Sequence, residues 1–300
     1  MATYALISDV HGNIDALRAV VESIESGPGV DEIVCLGDVI GYCPASNEVI
    51  ELLGSLEARY PVRHNLGSHD GAALGEYQFV DISNAEDSER LLAAGVEDEE
   101  QLVAQYFNPE VRQFVPVRAE ARDAMQWTLE RLTPESLEFM RSRMEPRVEI
   151  EPGVISVHGS PRDPACEYVR DAKVARKCFE SDTMQGVWLC FVGHTHLPVV
   201  WKMASVDVVE VAGSRVCVSP PRPDFSERVE LFHTSTRYII NVGSVGQPRD
   251  RNAKACYGRF SSGEGVFEHV RVAYDIEAAA ARIREAGLAE RLAERLHKGE

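Results

Sequence analysis

The sequence has no long apolar run, no two cysteines spaced CxxC, and far fewer basic than acidic residues. Each absence removes a class of function. The N-terminal stretch MATYALISDVHGN lacks a basic lead, and its apolar segment breaks at Ser8-Asp9. It is expected to be neither a secretory signal nor a membrane span, and no other window approaches the length of one. The cysteines number seven, an odd and scattered set, and read as buried reduced thiols in a cytoplasmic protein. Lys and Arg total 31 against 48 Asp and Glu, a formal net charge of −17. So acidic a surface repels nucleic-acid backbones and anionic lipid, so neither a nucleic-acid polymer nor a membrane is an expected partner. A small anionic substrate stays open, because bound metal ions reverse the local field.

What is present is a globular composition over 300 residues, with 44% hydrophobic and 26% charged side chains. YALIS (4–8) reads as a buried strand, and IDALRAVVESIES (14–26) as a helix closed by Gly27-Pro28. EIVCLGD (32–38), ASNEVIELLGSLEA (45–58) and YPVRHNLG (60–67) continue as strand, helix, strand, the alternation of a mostly parallel sheet. Residues 71–146 break the rhythm and read as a helical insertion, with helices over 84–105, 118–133 and 134–144. Strand, helix and strand return at 154–161, 171–181 and 187–196. After Pro198 short strands follow, VVWKMA, DVVEVA, RVCVS, VELFHT and RYIINVG, with PPRPD (220–224) as a loop. A hairpin over 257–275 and an amphipathic helix over 276–296, interrupted at Gly287, close the chain. One domain, residues 1–300 with the insertion, is expected.

Polar residues cluster just after the apolar strands. Asp9 and His11 follow the first, Asp38 the second, Ser68, His69 and Asp70 the third, His158 the fourth, His194 and His196 the fifth. Ligands collect beyond the carboxyl ends of parallel strands, so the clusters can converge on one edge. A glycine beside each one permits the tight turns this needs. His nitrogen and Asp oxygen without thiolate suit Mn, Fe, Co, Ni or Zn in a reactive site, not a structural Cys-zinc site. Seven donors exceed what one ion needs. They suffice for two ions bridged by a carboxylate, roughly 3.5–4 Å apart, which would clamp a phosphoryl group. His233 and His269, in apolar strands, and His297, in the last helix, are read as structural.

DVHGN, GDVIGY, GSHD, VHGS and GHTH, in that order, resemble the calcineurin-like metallophosphoesterase superfamily over nearly the whole chain. SPRDP (160–164), NVGSVGQPRD (241–250) and the YD…AGL…LAERL tail are similar to its branch of small bacterial and archaeal phosphodiesterases. The resemblance implies an α/β fold, a four-layer α/β/β/α sandwich. It implies two divalent ions, Mn foremost, with Fe, Ni, Co or Zn as alternatives. Asp9, His11 and His196 would hold the first ion, Asp38 would bridge, and His158 and His194 would hold the second, with the motif's Asn where this chain has Ser68. His69 would serve the leaving oxygen as proton donor or electrostatic partner, and a bridging hydroxide would attack phosphorus. The substrate would be a small phosphorylated molecule or nucleotide carrying a phosphodiester or phosphoanhydride bond. Asn13 would position phosphate or cap the following helix. Arg162 and Arg249 would contact substrate phosphate or lie on the surface.

Two departures stand out. Gly41 and Tyr42 replace the Asp and Arg of the protein-phosphatase pattern GDxxDRG, which argues for phosphodiesterase over phosphoprotein phosphatase and leaves His69 without its usual carboxylate. Ser68 replaces an amide ligand with a shorter, weaker hydroxyl. Ser68 could act through a water, Asn65 could substitute, or the second ion could bind weakly. The alternative function is a non-catalytic or weakly active member serving as a ligand-binding or scaffold protein.

Overall fold

The computed structural model describes residues 2–81, 83–94, 113–204, 208–211, 214–217 and 219–300, with the backbone alone described for 208–211 and 214–217. Two mixed sheets carry the architecture. The first, seven-stranded, takes up β1 (Thr3–Ile7), β2 (Glu32–Cys35), β3 (Val62–Asn65), β6 (Met144–Glu145), β14 (Arg228–Glu230), β16 (Ala255–Ser261) and β17 (Val266–Val272), in the order β14-β17-β16-β1-β2-β3-β6. The second, six-stranded, runs β13 (Arg222–Asp224), β10 (Val199–Ala204), β15 (Thr236–Asn241), β9 (Leu189–Val192), β8 (Val154–Val157), β7 (Arg147–Glu151). β1, β2, β3 and β6 are parallel, as are β8, β9 and β15.

The sheets face each other across one apolar layer. Leu6, Val34 and Leu36 from the first meet Phe191, Tyr238 and Ile240 from the second. Outside the first sheet lie α1 (Ile14–Ser26) and α2 (Ser46–Leu56), whose i, i+3, i+4 faces bury Leu17, Val20, Val21, Ile24, Val49 and Leu53. Outside the second lies α7 (Ala172–Glu180), burying Ala175, Cys178 and Phe179. Helix, sheet, sheet, helix is the four-layer order expected.

Several local expectations change. The donor-bearing strands belong to two sheets, not to one parallel sheet. Apolar runs buried on both faces look alike whichever sheet receives them. The segment 71–146 is not purely helical: β4 (Gln78–Val80) and β5 (Phe114–Pro116) pair in parallel beside α3 (Ser68–Ala73), α4 (Ala85–Ala93), α5 (Ala119–Leu129) and α6 (Pro134–Arg143). Much of the helix expected over 84–105 lies outside the described residues. PPRPD contributes strand β13, an edge position that tolerates its proline. VELFHT is strand only through Glu230, and His233 sits in an exposed turn. DVVEVA and RVCVS form a separate two-stranded ribbon, β11 (Val208–Val211) and β12 (Ser214–Cys217). The final helix is two, α8 (Ile276–Glu285) and α9 (Glu290–Lys298), parted at Gly287 with φ +71°. All six cysteines whose side chains are described are buried and outside any disulfide.

Candidate metal centre

The loops after β1, β2, β3, β8 and β9 meet at one end of the sandwich. Asp9, His11, Asp38, Ser68, His69, His158, His194 and His196 are brought together there, each at most 4% exposed. Asp9, His11 and His196 form one group of donors, and Asp38, His158 and His194 another, with donor atoms inside each group within 4.8 Å of one another. Asp38 lies between them. Its Oδ2 is 3.1 Å from His158 Nε2 and 3.8 Å from His11 Nε2. Asp9 Oδ1 lies 3.3 Å from His196 Nε2.

Each imidazole is held from behind. The far ring nitrogens of His11, His158, His194 and His196 donate to the carbonyls of Ile40, Leu36, Cys166 and Gln247, at 2.6–3.0 Å. A carbonyl only accepts, so this fixes the tautomer and turns the bare nitrogen inward. Burial pushes His11, His194 and His196 well below the ordinary imidazole range, which keeps them neutral. His11 Nε2 then faces His196 Nε2 at 3.1 Å, and His158 Nε2 faces His194 Nδ1 at 3.0 Å. Facing lone pairs repel unless a cation lies between them. Burial disfavours a charge on His158, but the Asp38 carboxylate overrides it and lifts this ring to about 9. The donor set fits divalent metal.

The backbone is bent to make this possible. Among the described residues seven non-glycines have positive φ, and six of them, Asp9, His11, Asp38, Tyr42, His194 and His196, lie in the site. Such residues cost about 1–3 kcal/mol each and gather where function demands a particular side-chain direction. Gly67 allows a close approach: a Cβ there would fall 2.2 Å from Asp38 N and Oδ1. Asp70 ties the same two loops together, its carboxylate accepting from the amides of Asp38, Val39 and Gly67 at 2.8–3.0 Å. The segment 241–250 clamps the β1 loop, with Gly246 N and Ser244 Oγ both donating to Asp9 O at 2.9 Å.

Ser68 opens α3, with its Oγ 3.3 Å from Asp38 Oδ2. Asn65 does not replace it. Its amide accepts from Ser156 Oγ at 2.6 Å and donates to Ser156 O at 3.1 Å, which locks it between the two sheets. Among the described residues no carboxylate hydrogen-bonds the His69 ring. The rings of Tyr42, Phe79 and His11 surround it, with centroids at 4.8, 4.7 and 4.6 Å. Gly41 explains the lost acid of GDxxDRG: a Cβ at this position would meet His69 Nδ1 at 2.3 Å. Burial holds His69 down to about 4, so it is neutral at pH 7.

The candidate phosphate contacts separate. Asn13 takes its alternative role: Oδ1 caps α1 at Ala16 N, and Nδ2 donates to Gly246 O. Arg162 pairs with Glu167 at 3.2 Å and does not line the cleft over the donors. Arg249 does line it, beside Tyr42 and Tyr168. Its Nη2 reaches Gln247 Oε1 at 3.1 Å and Tyr42 Oη at 3.4 Å, and its buried Nε has no partner among the described residues. Tyr168, which lies flat on His194 at 3.9 Å, carries no motif signal and was missed. Tyr42 was visible in GDVIGY, but only as a departure.

The calcineurin-like phosphoesterase profile matches residues 2–198. The chain belongs to this family. It is 30% identical over 299 residues to uncharacterized protein MJ0912 of Methanocaldococcus jannaschii, covering 98% of this chain and 97% of that one. A crystal structure of a metallophosphoesterase from Sphaerobacter thermophilus superposes with TM-score 0.69 at 33% identity, covering 100% of this chain and 99% of that one. A symmetrical bis(5'-nucleosyl)-tetraphosphatase of Citrobacter koseri is 41% identical over 91 residues, 30% of each chain. In this chain the donor residues sit on loops at one end of the sandwich, and no helix among the described residues is long and apolar enough to cross a membrane.

Proposed function

We propose that the protein is a two-metal phosphoesterase that hydrolyses a phosphodiester or phosphoanhydride bond in a small molecule or nucleotide. The observation that carries this is the two adjoining donor groups, with Asp38 of the second reaching toward His11 of the first, and His69 and Arg249 at their rim. Two divalent ions, manganese foremost, would supply Lewis acidity and a water of lowered pKa. Asp9, His11 and His196 would hold one, Asp38, His158 and His194 the other, with Ser68 beside the second.

The chain's own groups do the rest. Arg249, a half-buried guanidinium with no carboxylate partner among the described residues, is placed to hold a phosphate oxygen. Neutral His69, fixed by its three ring neighbours, offers an N–H to the leaving oxygen rather than an imidazolium proton. As the oxygen of water bonds to phosphorus, the bond to the leaving oxygen breaks and that oxygen takes up the proton the water gives up. Gly41 and Tyr42 in place of acid and base support a small diester over a phosphoprotein. Buried cysteines outside any disulfide among the described residues support a reducing, cytoplasmic setting.

The test is hydrolysis of bis-p-nitrophenyl phosphate with Mn or Ni. Turnover that disappears on chelation is expected, and no turnover above the metal-free background with any divalent ion overturns the reading. Ser68 favours a second reading, a weakly active protein that keeps one ion. One equivalent of metal per chain by elemental analysis would establish it.

A further inference from the structure

The cleft over the donors holds only about 20 Å³ of free space. Tyr42, Val117, Tyr168 and Arg249 form its walls and also line a groove of about 720 Å³ that runs outward between the 71–146 segment and α9. The groove reverses the sign of the molecule. Its lining has five basic residues, Arg118, Arg249, Arg291, Arg295 and Lys298, against three glutamates, in a chain where acids outnumber bases 48 to 31.

This reversal is built into α9. Leu292, Ala293 and Leu296 bury one face of the helix. Arg291, Arg295 and Lys298, spaced i, i+4, i+7, form a stripe that lines the groove. The helix end is fastened to the site loop, with Arg251 N donating to Gly299 O at 2.8 Å. Arg295 lies over the Tyr42 ring at 5.9 Å, and Arg249 over the same ring at 5.7 Å. Glu120 occupies Arg291 and Glu294 occupies Lys298. Arg118, Arg249 and Arg295 have no carboxylate side chain paired with them among the described residues; Arg295 reaches only Glu300 O, at 2.7 Å. Guanidinium groups gathered this closely repel one another, and an anion that joins them relieves the repulsion. Burial and the nearness of Arg249 push Arg295 down to about 10, the strain expected of such a cluster.

We propose that the groove is a second anion site, lined by Arg118, Arg249 and Arg295, that takes the phosphates beyond the scissile one, so that the preferred substrate carries a chain of two or more phosphates. This rests on the hydrolase reading for the word substrate, but the binding site stands on the groove alone.

The experiment therefore has two arms. In the first, inorganic tripolyphosphate and orthophosphate are titrated calorimetrically into the full chain at low salt with chelator and no divalent ion. Wild type should bind tripolyphosphate at least tenfold more tightly than orthophosphate. Arg295→Gln and, on a different element, Arg118→Gln should each weaken it at least fivefold, with far-ultraviolet dichroism showing that both variants are folded. Equal affinity for the two anions, or unchanged binding in both variants, overturns the proposal. In the second arm, the Mn-loaded enzyme is given a nucleoside triphosphate γ-(p-nitrophenyl) ester and bis-p-nitrophenyl phosphate. The ratio of their kcat/KM values should fall at least tenfold in Arg295→Gln, and an unchanged ratio counts against the groove. Turnover of neither ester overturns the hydrolase reading, while the first arm still decides the anion site.

Discussion

His11 and His196 point their Nε2 atoms at each other across 3.1 Å, and each ring is pinned from behind by a carbonyl, Ile40 O and Gln247 O. Neither nitrogen can accept a proton cheaply, because burial holds both rings low. The arrangement is at ease only around a cation.

Metal loading should accordingly stabilise the fold. At free metal near 100 times its dissociation constant the gain is about 2.7 kcal/mol, a rise of a few degrees in Tm for a chain of this size. Scanning calorimetry with and without chelator measures it. Because His158 is lifted to about 9, an incoming second ion must displace a proton. Affinity should tighten by about tenfold per pH unit up to that value. An affinity flat between pH 6 and 8 would contradict this.

Ser68→Asn restores an amide oxygen beside Asp38. The expected result is a rise in second-metal affinity within the ~10–100-fold range that one ligand or its support is worth. Titration followed by elemental analysis reads it directly. No change would remove Ser68 as a determinant of the site.

His69→Ala should lower kcat by about 10²-fold or more with a smaller effect on KM, since a hydrogen bond to the leaving oxygen matters most in the transition state. Metal content should stay at the wild-type value. Loss of an ion in this variant would make His69 a ligand instead.

His64 offers a test remote from the chemistry. Burial lowers it to about 4 although Glu57 Oε1 lies 3.5 Å away, so the folded chain keeps it neutral. An unfolded chain protonates this ring near 6.5. Its stabilising effect is present above 6.5 and is lost as pH falls from there toward 4, by up to about 3 kcal/mol. His64→Phe, beside Phe139, should remove that part of the acid sensitivity in urea titrations at pH 7 and pH 5. An unaltered difference between the two pH values would refute it.

The sequence showed the donors because each one follows a short apolar strand, a one-dimensional signal. It did not show that these strands feed two sheets, since parallel strands buried on both faces look the same in either. Asp70 stood in plain view in GSHD, yet three backbone amides cannot be read from a motif. The partners of His69 were hidden for the opposite reason. Gly41 registered as a missing acid, whereas its lack of a Cβ is what admits the ring. The stripe on α9 was written in its charges at i, i+4, i+7, and only the fold shows which wall it lines. Asn13 had two roles open, and the cap was decided by Ala16 N and Gly246 O.

The six left-handed residues of the site have a consequence for how such a protein changes over time. Glycine at any of them would remove a backbone strain of about 1 kcal/mol or more, at the expense of the packing and hydrogen bonds of the side chain it replaces. At Asp9, His11, Asp38, His194 or His196 the same change deletes a donor. Because a bound metal also stabilises the fold, selection for heat resistance in its presence and selection for turnover keep the same donors. A library screened for survival on heating under chelation should admit glycine at these five codons sooner than one screened with metal.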